Sequence, residues 1–278
     1  MATTLTLLVD NLAKTGLKHE HGFALFIEHQ DKRILFDSGQ SEALFFNAAK
    51  LNISLKNLDI IVLSHGHYDH GGNLSTLLLD NPNTVFYAHP DCINKRYSLH
   101  PNKPIKTISL SQQTIEKISH FPIGQCHFIT EPTQITPGIW LTGEIPRCCP
   151  LEDTSGPFFL DVTGKKIDLL KDDMSLWIEN IEGVTVICGC CHSGVINTLE
   201  HIKKQIGDTK SINTLLGGYH LVNASQHRIE HCIAYLNQQH IEGLYPAHCT
   251  GENVMQLLKL KFKNQVQVAK AGLSISIK

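Results

Sequence analysis

One nonapeptide concentrates the chemistry of this chain: Ser64-His65-Gly66-His67-Tyr68-Asp69-His70-Gly71-Gly72. Four side chains able to bind a metal, His65, His67, Asp69 and His70, fall within six consecutive residues. Imidazole nitrogens with a carboxylate suit zinc, and also iron or manganese, at roughly 2.0–2.2 Å. A backbone that stays extended from 65 to 67 points His65 and His67 to the same side, because strand side chains alternate. A turn into a helix then swings Asp69 and His70 to a second, neighbouring position. The competing reading is a polar turn that happens to be rich in histidine. It requires three imidazoles and a carboxylate to crowd together without purpose, and protonated imidazoles repel. The chain as a whole carries 17 histidines in 278 residues, and imidazole is the commonest metal ligand.

The elements that must position this cluster can be read around it. Residues 58–63 (LDIIVL) form a continuous apolar run of strand length, as expected of a strand covered on both faces. The histidines follow at its carboxyl end, where α/β folds place their sites. Strand-like runs occur upstream at 5–10, 22–29 and 33–36, and residues 41–51 have apolar spacing for a helix with Ser41 as its cap. A strand is expected at 84–88, and residues 90–135, with several prolines and polar turns, read as an insertion or meander. Beyond 138, strands are expected at 139–142, 175–179, 185–188, 213–216, 244–245, 266–268 and 273–277. Helices are expected at 195–205, 225–237 and 253–261. Strands followed by helices in both halves suit an α/β fold of layered sheets with helices outside. No linker or repeat divides the chain, so a single domain over 1–278 is expected.

Composition narrows the partners. Twenty-four basic and 26 acidic residues leave a net charge of −2, with only four arginines. That balance gives no basic footprint for nucleic acid or for an anionic membrane surface. No apolar run is long enough to span a bilayer. The opening MATTLTLLVDNLAKTG reads as a first strand rather than a signal peptide. Nine cysteines, an odd number in a long chain, read as thiols of a reducing cytoplasm rather than as disulfides. A small-molecule substrate remains.

The H-x-H-x-D-H segment, with an apolar strand before it and Gly-Gly after it, resembles the signature of the metallo-β-lactamase-fold superfamily. Ile34-Leu35-Phe36-Asp37-Ser38-Gly39 is similar to that superfamily's early strand–Asp–x–Gly element. A wider set spans nearly the whole chain: HGF at 21–23, FDSGQS at 36–41, TGEIPR at 142–147, DDMSL at 172–176, GCCHSGVINTL at 189–199, GGYHL at 217–221 and HCTG at 248–251. Together these resemble a subfamily whose named member makes a dihydropterin–ribofuranosylaminobenzene phosphate. Many relatives of that member are called simply metal-dependent hydrolases. The fold so implied is an αββα sandwich, two mixed sheets flanked by helices.

The resemblance also implies roles. Asp37 supports the metal ligands from behind, which suits histidines that need a carboxylate to fix their tautomer; the plainer alternative is a turn residue before a helix. The remaining ligands come from the second half of the chain, where His192, His220 and His248 each follow a strand-like run. His65, His67 and His192 are then expected on one ion, and Asp69, His70 and His248 or His220 on a second. One or two ions are expected, zinc first, with manganese or iron as alternatives. Dinuclear members carry a bridging aspartate where this chain reads Gly189-Cys190-Cys191-His192. His192, the Cys190 thiol, or an oxygen of Asp172 or Asp173 are the options for that position. Asp69 is also a candidate general base. Arg147 is a candidate bidentate contact for phosphate or carboxylate, against a surface salt bridge, with Glu144 beside it. The expected activity is metal-dependent hydrolysis of a small phosphorylated or ester substrate. The alternatives are a transferase displacing pyrophosphate from a pterin, and a ligand sensor without turnover.

Overall fold

The computed structural model describes residues 3–154, 156–207 and 210–277. The chain divides into two compact units, Met1–Ile129 with Pro157–Asp172 and Lys270–Lys278, and Thr130–Gly156 with Asp173–Ala269.

The first unit is built on β1 (Thr3–Val9), β2 (Ala24–His29), β3 (Lys32–Phe36), β4 (Ile60–Val62), β5 (Val85–Ala88), β8 (Cys126–Phe128) and β16 (Ser274–Ile277), in the order β16-β1-β2-β3-β4-β5-β8. The pairs from β16 to β3 are antiparallel and those from β3 to β8 parallel. Parallel neighbours need crossovers. Helices α1 (Ala43–Lys50), between β3 and β4, and α3 (Leu74–Asp80), between β4 and β5, supply them. The short α2 (Tyr68–Gly71) precedes α3, and α4 (Gln112–Ser119) precedes β8. Apolar side chains of this sheet and its helices, among them Leu8, Phe26, Leu35, Leu44, Ile61, Leu78 and Phe86, form one buried cluster. A small sheet joins β6 (Tyr97–Ser98), β7 (Lys106–Thr107) and β11 (Phe158–Phe159).

The second unit repeats the pattern with different residues. Strands β9 (Thr133–Thr136), β10 (Ile139–Leu141), β12 (Ser175–Glu179), β13 (Val184–Cys188), β14 (Ile212–Gly218) and β15 (Gly243–Ala247) lie in the order β15-β14-β13-β12-β10-β9. The β9–β13 pairs are antiparallel and β13–β14–β15 parallel. Helices α5 (Val195–Ile206) and α6 (Gln226–Gln238) make the crossovers and α7 (Glu252–Phe262) follows β15. All five side chains of β13 are buried, as a strand covered on both faces requires. Trp177, Val186, Leu199, Leu215, Ile229, Leu244 and Leu258 belong to its buried cluster.

Three sequence expectations need correction. Ser41 does not cap α1: Glu42 occupies that position with helical backbone and no side-chain cap, while the Ser41 hydroxyl bonds the Glu20 carboxylate. Glu20 also accepts the Gln40 and Ser41 amides at 2.9 and 3.0 Å, so a longer-range carboxylate outcompetes the local hydroxyl. The segment 90–135 is not irregular. It carries α4, whose Ser111 hydroxyl caps the Thr114 amide, and β8, an edge strand of the larger sheet. Residues 266–268 form no strand; Val266 makes one isolated bridge to Leu244 after a 3₁₀ turn. No helix among the described residues is long and apolar enough to cross a membrane, and none of them form a disulfide.

Candidate functional site

In both units the candidate histidines lie in the segments that follow the carboxyl ends of the parallel strands, where α/β folds place their sites. In the first unit Asp37 follows β3 and residues 64–70 follow β4. The chain stays extended as far as His67, whose φ is −88° and ψ 149°, and then turns into α2. The alternation places the His65 and His67 rings 4.5 Å apart, with His65 Nε2 3.0 Å from His67 Nδ1. The turn brings the His70 ring to 4.2 Å from that of His65. Asp69 Oδ2 lies 3.7 Å from His70 Nε2 and 3.1 Å from His21 Nε2. His65 and His70 are fully buried, and His67 and Asp69 are 5% exposed.

Asp37 is the hub beneath these rings. Its Oδ2 accepts from His70 Nδ1 at 2.6 Å and from the Ser64 hydroxyl at 2.7 Å, while Oδ1 accepts the Ser64 amide at 2.7 Å. The Ser64 hydroxyl is in turn 3.0 Å from His65 Nδ1. With a proton on Nδ1, His70 carries its lone pair on Nε2, the tautomer a metal ligand needs.

A second support was not foreseen. Arg96, 1% exposed, donates from Nη1 and Nη2 to the two oxygens of Asp172 at 2.7 Å, and from Nε to Asp168 at 2.7 Å. The same Asp172 Oδ2 accepts the Gly66 amide at 2.8 Å. Gly66 has no room for a Cβ, which would fall against the Cys92 carbonyl and 2.6 Å from Arg96 Nη1. The buried ion pair thus clamps the backbone between His65 and His67.

In the second unit His192 follows β13, His220 follows β14 and His248 follows β15. The His192 and His220 rings are 4.0 Å apart. Cys190, His220 and Cys249 bring three donor atoms within 4.8 Å of one another. Asp173 accepts the Ser193 amide at 2.7 Å; burial pushes its carboxyl up, against this bond and the nearby Arg147 guanidinium. Arg147 Nη1 donates to the His192 carbonyl at 2.8 Å. Glu144 is half-buried in the same segment, its amide bonded to the Thr130 carbonyl at 2.8 Å. Asp172 and Asp173, candidates for a metal oxygen in the sequence, each hold a backbone amide, while Asp173 Oδ1 is buried without a hydrogen-bond partner.

Strain marks the same residues. Asp37, Cys191, His220 and His248 have φ of 61°, 61°, 45° and 46°. A left-handed non-glycine residue costs roughly 1–2 kcal/mol and persists where the surroundings impose it.

A family model of the metallo-β-lactamase superfamily matches residues 18–146. An uncharacterized protein of Methanocaldococcus jannaschii is 33% identical over 98% of this chain and 100% of its own length. The chain belongs to the metallo-β-lactamase superfamily. A second protein of that organism, named 7,8-dihydropterin-6-methyl-4-(β-D-ribofuranosyl)-aminobenzene-5'-phosphate synthase, is 29% identical over 91% of this chain and 88% of its own. Among solved structures, one described as a metal-dependent hydrolase of the β-lactamase superfamily is 27% identical with a TM-score of 0.84, covering 99% of both chains. The metallo-β-lactamase fold protein YhfI of Bacillus subtilis shares the fold at 13% identity, TM-score 0.60, over 99% of both.

Sequence reasoning missed Arg96 and Asp168, and carried His21 only as part of a motif. The available signal for Arg96 was its rarity, as one of four arginines in a chain where any buried one must be paired.

Proposed function

We propose that this chain is a metal-dependent enzyme acting on a small phosphorylated or ester substrate, with hydrolysis by water as the first reading. The observation that carries it is the trio of His65, His67 and His70 packed ring to ring, with Asp37 fixing the His70 tautomer at 2.6 Å. Burying three imidazoles against each other serves no packing need that leucine would not meet better, and it fits a cation. The proposed ligands are His65, His67, Asp69 and His70 of the first unit and His192, His220 and His248 of the second, for one or two ions. Zinc suits this nitrogen-rich set best, with manganese or iron as alternatives. Such an ion supplies Lewis acidity, bringing the pKa of water toward about 7 and polarising a substrate oxygen.

The chain's own residues do the rest. Asp37 holds His70 and, through Ser64, the start of the histidine loop. Where the second ion is weakly held, Asp69, whose Oδ2 lies 3.1 Å from His21 Nε2, would instead orient water or act as general base. Arg147 holds the His192 carbonyl with one nitrogen, and a guanidinium has further N–H groups for a substrate anion. Glu144 stays in the reading as a substrate contact. A near-neutral net charge supports a small-molecule partner over nucleic acid. The fold match over the full chain supports one functional domain.

The name of the synthase relative favours a second reading, a transferase acting on a pterin, with pyrophosphate leaving the pterin methylene as this reading's own step. Two assays separate the readings. Metal-loaded protein is incubated with a generic phosphodiester and, separately, with a pterin pyrophosphate plus an aromatic amine. Turnover of the first alone supports hydrolysis, and pyrophosphate release dependent on the amine supports transfer. Elemental analysis of His67→Ala tests the centre itself: undiminished metal content removes the carrying observation.

A further inference from the structure

The small sheet of β6, β7 and β11 is made of two-residue strands, and strands so short hold little on their own. It is rooted instead by the buried Arg96. Arg96 immediately precedes β6 and pairs with Asp168, beyond β11, at 2.7 Å. Its carbonyl accepts the Ile108 amide, beyond β7, at 3.0 Å. The pairing register fixes what the sheet presents. Phe158 stands opposite Ser98, and Ser98 opposite Lys106. Residues directly opposite share a face, so the three form one row, which spans about 9–10 Å at two strand spacings.

Both ends of that row meet the histidine loop. The Phe158 ring lies 5.5 Å from the His67 ring, and Lys106 Nζ donates to the Tyr68 hydroxyl at 2.6 Å. The backbone holds sheet and loop together: Tyr68 donates its amide to the Ile108 carbonyl at 3.1 Å, and His67 bridges Ser109. These contacts leave both ends with surface to offer. Phe158 is half-buried and Lys106 exposed, and Tyr68 takes one of the three N–H groups of an ammonium. An apolar ring against one candidate ligand, with a cation on the residue next to it in the chain, suits a substrate with an apolar body and an anionic end.

We propose that this row recognises the substrate. Phe158 packs against the substrate's apolar body beside His67, and Lys106, with the Tyr68 hydroxyl, holds a carboxylate or phosphate set apart from the reacting bond. This rests on the metal-dependent enzyme proposed above and names its substrate class: a small molecule with an apolar body and a separate anionic end. The test is calorimetric binding of two probes, 4-carboxyphenylphosphonate and its carboxamide analogue, to the full-length protein, once loaded with zinc and once treated with chelator. The wild type is expected to prefer the carboxylate by roughly fivefold, the upper worth of one exposed charge pair. Lys106→Met is expected to lose that preference with zinc stoichiometry unchanged. Lys106→Arg is expected to keep it, as is Lys165→Met, an exposed lysine beyond β11. Phe158→Ala is expected to weaken both probes alike, and unchanged affinities in that variant overturn its part in the row. No preference in either state of the wild type overturns the proposal, as does a preference that survives Lys106→Met. A protein that binds no zinc but keeps the Lys106-dependent preference overturns the metal reading and leaves this recognition standing.

Discussion

At the scale of residues, one carboxylate organises the histidine loop. Asp37 satisfies the Ser64 amide, the Ser64 hydroxyl and His70 Nδ1 with two oxygens, all fully buried. Asp37→Ala removes the shared acceptor of three donors, and carboxylates in this position are typically worth roughly 10–100-fold in metal affinity. A zinc titration of the variant is expected to show that loss, with a destabilisation of about 1–3 kcal/mol in urea. An unchanged dissociation constant would reduce Asp37 to a turn residue. Arg96 makes a different prediction. Arg96→Met strands Asp168 and Asp172, and breaking one side of a buried ion pair costs about 3–5 kcal/mol. Denaturant unfolding checks this, and the variant's metal affinity is expected to fall too, because Asp172 also holds Gly66. Asp37 was legible because it sits in a short motif at a strand end. Arg96 was not, because its partners lie 72 and 76 residues downstream and no local spacing announces a pairing of that range.

At the scale of elements, each candidate ligand lies in the segment that follows a parallel strand, and that placement could be read from apolar runs followed by histidine. What could not be read is how each loop is pinned. The loop before α5 shows why. Gly194, φ 95°, lies against the Glu152 side chain, where a Cβ would clash. Glu152 accepts the Ile196 and Asn197 amides at 2.9 and 2.8 Å, and Asn197 Oδ1 accepts the Cys148 and Cys149 amides. A distant glutamate thus satisfies the first turn of the helix. Burial raises the Glu152 carboxyl above its usual value, outweighing those two amides. A raised carboxyl stabilises the fold when protonated, so its contribution is full below the unfolded value of about 4.3 and is lost as pH rises through the folded value. Glu152→Gln mimics the protonated form. Its stability relative to wild type is expected to be near zero at pH 4 and to improve as pH rises toward 7. A difference that is flat with pH, measured by urea unfolding, would mean Glu152 carries no burial penalty. The segment 90–135 fails for a related reason: α4 is short and flanked by polar turns, and β8 is an edge strand with little apolar pattern to declare it.

At the scale of the whole molecule, the composition bears on the class of partner but not on its identity. Twenty-four positive against 26 negative charges leave a net charge too small to gather an anion, so a phosphorylated substrate of the kind proposed would need local donors such as Arg147. The two sheets were legible as alternating strands and helices, and the family as a set of motifs running from 21 to 251. Clustered imidazoles are a costly feature of that arrangement without an ion, because like charges on neighbouring rings repel. A cation that binds only the folded state stabilises by RT ln(1 + [L]/Kd), about 2.7 kcal/mol at a hundredfold excess over Kd. For a chain of this size that is about 5–10 °C in the thermal midpoint. Zinc-loaded protein is therefore expected to melt that much higher than chelator-treated protein, and His67→Ala to lose most of the difference while Asp31→Ala, on the exposed turn between β2 and β3, keeps it. If chelation leaves the midpoint of the wild-type protein where it was, the histidines are holding the loops by hydrogen bonds alone, and the ion has no structural part in this fold.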